Sequence, residues 1–490
     1  MGRLGETACA RWRAAWVSWV AFMDNLAWFR RGWVIQETVL KDNHEVTVVM
    51  GDTAFNWNAM LEFAALLQGT TSWLNQMDHY GTTRGRLSRY RVQHMNHRVA
   101  MPDQIRALVS HDDTSDAYPQ WTAWVYGSSS VETMWWARVF EIMSMLREKD
   151  FGDDRDHVFA CIGMAKAMLP PGMSNPLVVD YAIPVEEVFT RMAALFIAHM
   201  PLLRILSAVE PHEVRRYRNL PSWVPDLSVS QGTATFMRSG TGKRLDAGAT
   251  KFLEWPRPTI DGNVLTVQGA RLDVVPEAGV NFNHPTFLST VLQACLQSQA
   301  YIANGETQPE AVFRTLLADG FFTELYASAF LPRCKTWLEN FIVQEITGRL
   351  ADDEDAVMGI ALLLSEAPGS PHGQVLPDLT RITTLRDQAA ACVAQLANDR
   401  FHGEFLTSNH GRRFFVTAEG FLGLGSESMR PGDEVFLVTG AKVPFVLRKV
   451  EGSVGDDEYR LVGECYLRGF MHGEGMSPDF RARLAPIQLV

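Results

Sequence analysis

Six cysteines in 490 residues, none in a C-x-x-C pair and none with histidines at zinc spacing, offer neither a disulfide framework nor a structural zinc site. Reduced thiols in an intracellular protein are the simplest reading, and Cys161 and Cys465 sit in apolar runs where the thiol acts as a small hydrophobe. Long apolar runs are missing too. The densest, AAWVSWVAFM from Ala14 to Met23, is far short of the ~20 residues of a membrane span and is followed by no small-residue cleavage site. Glu6 stands where N-terminal myristoylation needs Ser or Thr. Positive charge is scarce, since 45 Lys and Arg against 56 Asp and Glu leave a net charge of -11, the wrong sign for gripping phosphate backbones. The basic runs Arg84 to Arg91 and Arg215 to Arg218 are read as solvated faces. Repeats and low-complexity tracts are also absent, which excludes solenoids and coiled coils. What is left is a globular chain long enough for two or three domains.

The last eighty or so residues carry the clearest pattern. Short extended runs begin at Phe414, Phe421, Val435, Pro444 and Tyr459, and each is closed by turn chemistry: Glu419-Gly420, Pro431-Gly432-Asp433, Thr439-Gly440, and Gly452 to Asp457. Evenly spaced short strands predict a small closed or sandwich-like β module. Because its turns are local, the pattern predicts a unit that folds by itself from about Gln395.

Upstream, Ala14 to Trp28 reads as a buried helix, Trp33 to Ile35 as a short interior strand, and Val46 to Met50 as a second strand ending in a Gly51-Asp52 turn. Helical spacing follows over Asn56 to Leu67 and again over Thr133 to Arg147, where the apolar set is too broad for one stripe. Asp153-Asp154 is read as a cap for a helix over Val158 to Met168, and Pro170-Pro171-Gly172 as a linker. A helix over Val185 to Ile197, a strand pair at Val264 to Val267 and Arg271 to Val275 punctuated by Gly269, and a helical stretch from Val291 to Ala390 fill the middle.

Several segments share one likeness. VTAEGFLGLG, PGDEVFLVTGAKVPFVLR and YRLVGECYLRGFMHGE, with FRRGWVIQETVL from Phe29, DDRDHVFACIGMA from Asp153, VDYAIPVEEVF from Val179 and LPSWVPDLS from Leu220, resemble the ordered motifs of fungal heterokaryon incompatibility (HET) domain proteins. Leu227 stands where that family usually has tryptophan. The opening Y-x-x-L-S-Y-x-W-G and W-I-D-x-x-C-I-N-Q segments do not occur before Phe29, so the chain reads as starting midway through a HET domain. The resemblance implies an α/β fold for residues 1–168 (a partial, TIR-like HET domain), a mixed and mostly helical region over 169–400 and a small β domain over 401–490. It implies non-self recognition ending in growth arrest or programmed cell death, an innate-immunity role exercised in the cytoplasm through protein partners. Neither nucleic acid nor a membrane span is expected, and no cofactor or metal. Its motif positions are Arg155, Asp156, Asp180, Tyr181, Trp223, Pro225, Asp226, Gly432, Asp433, Pro444, Arg448, Gly473 and Glu474. The missing opening predicts a weak or inactive effector, with Trp33 to Ile35 left as an unpaired strand; an inert remnant is the bland alternative.

One constellation invites an enzymatic reading. Arg30, Arg31, Trp33 and Gln36 could hold a nucleotide, guanidinium on phosphate and ring on base, with Glu37 as acid or base at the carboxyl end of the expected strand. The alternative is a packed strand with structural polar residues. An NAD-cleaving activity at Glu37 rests on likeness between HET and TIR folds, which transfers no chemistry by itself. Other clusters read as structural. Asp153, Asp154, Asp156 and His157 are too close in sequence to converge on one ion, and SGTGKR from Ser239 lacks the first glycine and the Ser or Thr of a phosphate loop. GLGSES from Gly423 lacks nucleophile-elbow spacing, and the glycines around His472 and Glu474 point to a tight backbone path.

Overall fold

The structure, a computed structural model, describes residues 26–40, 46–62, 100–110, 130–233, 235–236, 245–248, 255–320, 327–371, 375–397, 399–452 and 458–490. Cys9, the run from Ala14 to Met23, the arginine run from Arg84 and SGTGKR lie outside them. The chain divides into two compact units, Met1–Met192 with Leu227–Ser230, and Ala193–Asp226 with Gln231–Val490.

In the first unit Trp33–Val39 is a helix, α1, entered from a 3-10 turn at Ala27–Arg30. The strand expected at Trp33 to Ile35 is therefore corrected. Val34, Ile35, Thr38 and Val39 are the buried residues, a helical set that the three-residue apolar run could not reveal by itself. Gln36 and Glu37 thus lie within a helix, no strand end sets them in a crevice, and there is no unpaired strand edge at Trp33 to Ile35. Thr47–Met50 (β1) and Thr53–Asn56 (β2) form an antiparallel hairpin around Gly51-Asp52, as the turn signal predicts. Helix follows over 57–62, and its Trp57 and Met60 pack with Phe29; the rest of the helix expected to Leu67 lies outside the described residues.

Helix α2, Val131–Leu146, is capped by Ser130 Oγ, which accepts from Thr133 N, and buries eleven of its sixteen residues. That is the broad burial its composition predicts. Trp135 Nε1 donates to Ala165 O at 2.9 Å, tying α2 to α3, Asp156–Ala167. α1 approaches α3 over Gly163, where a Cβ would stand 2.1 Å from Gln36 Nε2. A side chain at Gly163 would force the Gln36 amide to move aside. Among the described residues of this unit the strands are β1 and β2, an antiparallel pair, so the parallel TIR-like sheet is not seen there.

The division between the units falls within α4, Val185–His199. The second unit contains seven longer helices among its described residues: α5 Phe287–Cys295, α6 Gln308–Leu316, α7 Ala327–Thr347, α8 Glu354–Glu366, α9 Leu379–Arg386, α10 Ala389–Ala397 and α11 Arg400–Asn409. This fills the stretch expected to be helical. Trp337 of α7 stacks on Phe341 at 5.1 Å and packs against Phe401 and Phe405 of α11.

The strands form two sheets. Arg412–Val416 (β5), Leu422–Ser426 (β6) and Tyr466–Leu467 (β10) make a three-stranded antiparallel sheet in the order β10-β6-β5. The larger sheet runs β11-β9-β8-β7-β4-β3, built from Thr259–Asp261 (β3), Val264–Val274 (β4), Glu434–Val438 (β7), Phe445–Lys449 (β8), Glu458–Glu464 (β9) and Ala485–Leu489 (β11). β11 also pairs with β4, so five strands, β4, β7, β8, β9 and β11, close into a ring. β11 lies parallel to β9 and antiparallel to β4. The five runs read from the sequence all appear as strands. The expected strand pair at Val264 to Val275 is instead one long strand with a bulge between Arg271 and Asp273, and β3 is its separate hairpin partner. Gly269 does not break it, because an added Cβ there would meet Leu437 O and Ile487 Cδ1 at 3.0 Å, the mark of close strand packing. Between the sheets lie Val275, Phe415, Met429, Val435, Val446, Val462, Cys465 and Leu467.

The premise that the β module needs few partners from elsewhere therefore fails: β4 supplies neighbours to both β7 and β11 from more than a hundred residues upstream. A fragment from Gln395 to Val490 leaves those two edges open and is expected to show no cooperative melt, whereas residues 255–490 melt cooperatively. A sharp transition for the short fragment, followed by circular dichroism on heating, would refute this.

Candidate functional site

α3 begins in a tight acidic turn. Asp153 Oδ1 accepts from Arg155 N at 3.0 Å and from Arg155 Nε at 2.9 Å, and Asp153 Oδ2 from Nη2 at 2.7 Å, so the acid works at Arg155, one step before the helix. This hydrogen-bonded guanidinium holds the Asp153 carboxyl below its ordinary range. Arg155 Nη1 donates onward to the carbonyls of Tyr181 and Ile183 and lies 5.3 Å over the Tyr181 ring. Asp156 is the hub. Its Oδ2 accepts from Trp33 Nε1 at 3.2 Å and its Oδ1 from Tyr181 Oη at 2.5 Å. Burial first, then the Asp156 hydrogen bond, pushes the Tyr181 phenol from 10.0 up to about 12. Three segments far apart in sequence, around Trp33, Arg155 and Tyr181, thus converge on one carboxylate.

The other proposed ligand-binding residues do not join this hub. Arg30 is exposed and lies 3.7 Å from exposed Asp150, a pair worth little in water. Arg31 is exposed and forms a backbone bridge with Asp150. Gln36 packs over Gly163. Glu37 is exposed on α1. Asp180 Oδ1 accepts from Ala182 N at 2.8 Å, which turns the chain into the Tyr181 position.

The remaining motif residues lie in the second unit. Asp226, fully buried, accepts from Arg216 N and Tyr217 N at 2.7 and 2.9 Å and donates its own N to Glu210 Oε1. Glu210 pairs with Arg215 at 3.0 Å, and Arg215 donates to Pro221 O and Ser222 O. Trp223, also buried, donates to Asn263 O at 2.9 Å, with Pro225 buried beside it in sequence. Leu227, which belongs to the first unit and stands where the resemblance expects tryptophan, is buried. In the β7–β8 region Arg448 grips Asp433 with Nε and Nη2 at 2.7 and 2.9 Å, and this hydrogen bond raises the guanidinium further. Gly432 holds φ 90° in that turn, and Pro444 O accepts from Cys465 N. Glu474 Oε2 accepts from His472 N at 2.6 Å next to Gly473 with φ 94°, a local turn bond.

Sequence reasoning missed a second buried network. Tyr466 Oη donates to Asp319 Oδ2 at 2.7 Å, Arg468 Nη1 reaches both Asp319 oxygens, and Arg468 Nε and Nη2 clamp Glu306 at 2.7 and 2.9 Å. Ala318 and Asp319 both take left-handed backbone angles, φ 47° and 54°, uncommon for side chains and held here by these bonds. Burial opposes the Arg468 charge, yet Glu306, Tyr466 and Asp319 raise its affinity for the proton overall. The only sequence signal was an arginine amid apolar strand residues, because its partners lie 149 and 162 positions away.

Among the described residues no group of three or more His, Cys, Asp or Glu could hold a metal ion, and no helix is long and apolar enough to cross a membrane. Residues 387–482 match the Het-6 beta-barrel domain family. Over those residues the chain is similar to the fungal heterokaryon incompatibility proteins. It is similar to "Heterokaryon incompatibility protein 6, OR allele" of Neurospora crassa, 44% identical over 64 residues, which is 13% of this chain and 9% of that protein. The chain thus matches only a small part of that relative's length. No solved structure matches. The matched range contains β5 to β10 but neither β4 nor β11, the strands that close the ring.

Asp156→Asn keeps one acceptor, which the donor-only Trp33 indole needs, and makes the other atom a donor toward Tyr181 Oη, so the phenol proton loses its acceptor. Discounted for the half-open site, the cost is about 1 kcal/mol, or roughly 2 to 4 °C in a unit of this size. The raised Tyr181 pKa adds stability that is fully present below pH 10.0 and lost as pH rises through about 12. Ultraviolet titration of the phenolates should show one tyrosine ionising earlier in Asp156→Asn than in the parent. Identical titrations would mean Asp156 does not hold that proton.

Proposed function

We propose that this chain is a HET protein that acts in heterokaryon incompatibility, taking part in non-self recognition that leads to growth arrest or programmed cell death through protein–protein contact in the cytoplasm. The observation that carries this reading is the Het-6 beta-barrel match over residues 387–482. The site geometry is consistent with binding rather than turnover. Asp156 spends its charge holding two aromatic rings in place, and Arg155 spends its donors on Asp153 and backbone carbonyls. The NAD-cleaving alternative at Glu37 gains no specific support, since Glu37 stands exposed on α1 and Arg30 and Arg31 are exposed beside Asp150.

The test is expression in a filamentous fungal host, scoring colony growth and viability after fusion with strains of differing incompatibility type. Growth arrest is expected with the parent chain in at least one pairing. Gly269→Val, which forces a side chain against Leu437 O and Ile487 in the ring, is expected to abolish it, while Glu37→Gln leaves it unchanged and cellular NAD steady. Arrest in no pairing would reject the reading; NAD depletion lost on Glu37→Gln would favour the enzyme.

A further inference from the structure

Single exposed apolar side chains are ordinary, but contiguous ones mark contact surfaces. Five consecutive residues, Val178 to Ala182, are exposed, with Val178 at 76%, Val179 at 48% and Tyr181 at 48%. Trp33, 36% exposed, belongs to the same patch because its indole N–H shares the Asp156 carboxylate with the Tyr181 hydroxyl. Asp156 and Arg155 therefore fix two large rings at the surface beside two open valines. Rings already held need little ordering on contact, which lowers the entropic cost of binding, and Trp, Tyr and Arg are the side chains that dominate binding energies.

The charge around the patch indicates what covers it. Residues 150–187 carry seven carboxylates (Asp150, Asp153, Asp154, Asp156, Asp180, Glu186 and Glu187) against two cations, Arg155 and Lys166, a balance of 2 − 7 = −5. Arg30 and Arg31 reduce it to −3, and Arg191, the ion-pair partner of Glu187, to −2. Resting on the protein-contact reading above, we propose that the Trp33, Val178, Val179 and Tyr181 patch docks a partner-protein segment whose apolar side chains are flanked by Lys or Arg. The apolar residues cover the valines and rings, and the cations meet the acidic rim. A second copy of this chain, itself acidic, fits less well by the same charge argument.

The test uses the full chain in the fungal host with a photo-crosslinking benzoylphenylalanine at Val178, and at Val416, exposed in the second unit, as control. Mass spectrometry is expected to place Val178 adducts on an apolar segment flanked by Lys or Arg, with a yield that falls as salt is raised. Adducts on acidic segments, on a second copy of this chain, equally from Val416, or none at all, would overturn the proposal. In parallel, Val178→Ser/Val179→Ser is expected to weaken growth arrest at least about tenfold, the loss that about 1.4 kcal/mol of contact energy gives, with an unchanged thermal melt. Full arrest by that variant would sink the docking surface while leaving the incompatibility reading intact. If the parent chain gives no arrest, that broader reading fails instead, and the adducts alone decide the patch.

Discussion

A strand in an open sheet leaves one edge to be dealt with; β4 leaves none. It pairs with β7 along one side and with β11 along the other, from Leu265 opposite Leu489 to Val274 opposite Glu434. Closing the ring removes the exposed edge that would otherwise invite pairing with other chains. Most of the second unit follows from that closure. The small sheet of β5, β6 and β10 packs with Val435, Val446 and Val462 of the ring and with Val275 just beyond β4, and Tyr466 and Arg468 then face the end of α6. Without β4 there is no ring for the smaller sheet to cover.

Charge is used in both units to join segments that hydrophobic packing alone would leave free to slide. Arg468 and Tyr466 are satisfied only if Asp319 adopts its uncommon backbone angle and Glu306 comes within reach, so one network fixes two loops and a strand together. Buried ions of this kind cost desolvation, and their return is register rather than net stability. Asp156, itself buried, does the same in the first unit beneath the exposed Trp33 and Tyr181, with two uncharged donors in place of an arginine.

Strand positions in the last hundred residues were legible because glycine and proline turns divide them at short intervals, and every run begun at Phe414, Phe421, Val435, Pro444 and Tyr459 became a strand. The ring was not legible: nothing near Val264 says that its neighbours will be Leu437 and Ile487. Trp33 to Ile35 was misread because three apolar residues fit either period, and Thr38 and Val39 decide for the helix only once both are known to be buried. At the candidate site, family likeness marked Arg155, Asp156 and Tyr181 as special without saying why. Their convergence, with Trp33 as the fourth member, depends on how α1 packs beside α3, which no local pattern in the sequence records.

The bond from Val275 N to Asp433 O, 2.8 Å long, has a wider meaning for how such a domain can vary. It brings together the two ends of everything between β4 and β7, about 157 residues that hold, among those described, seven longer helices and two strands. To the ring, that whole stretch is a single loop. Loop-closure cost grows only with the logarithm of length, so helices can be gained or lost there at small expense to the ring, provided the ends return to that pair. The same separation delays assembly, because the β4–β7 contact cannot form until the intervening chain has been made and compacted. Within that stretch the constraint falls on Asp319 and Glu306, which must still reach Tyr466 and Arg468.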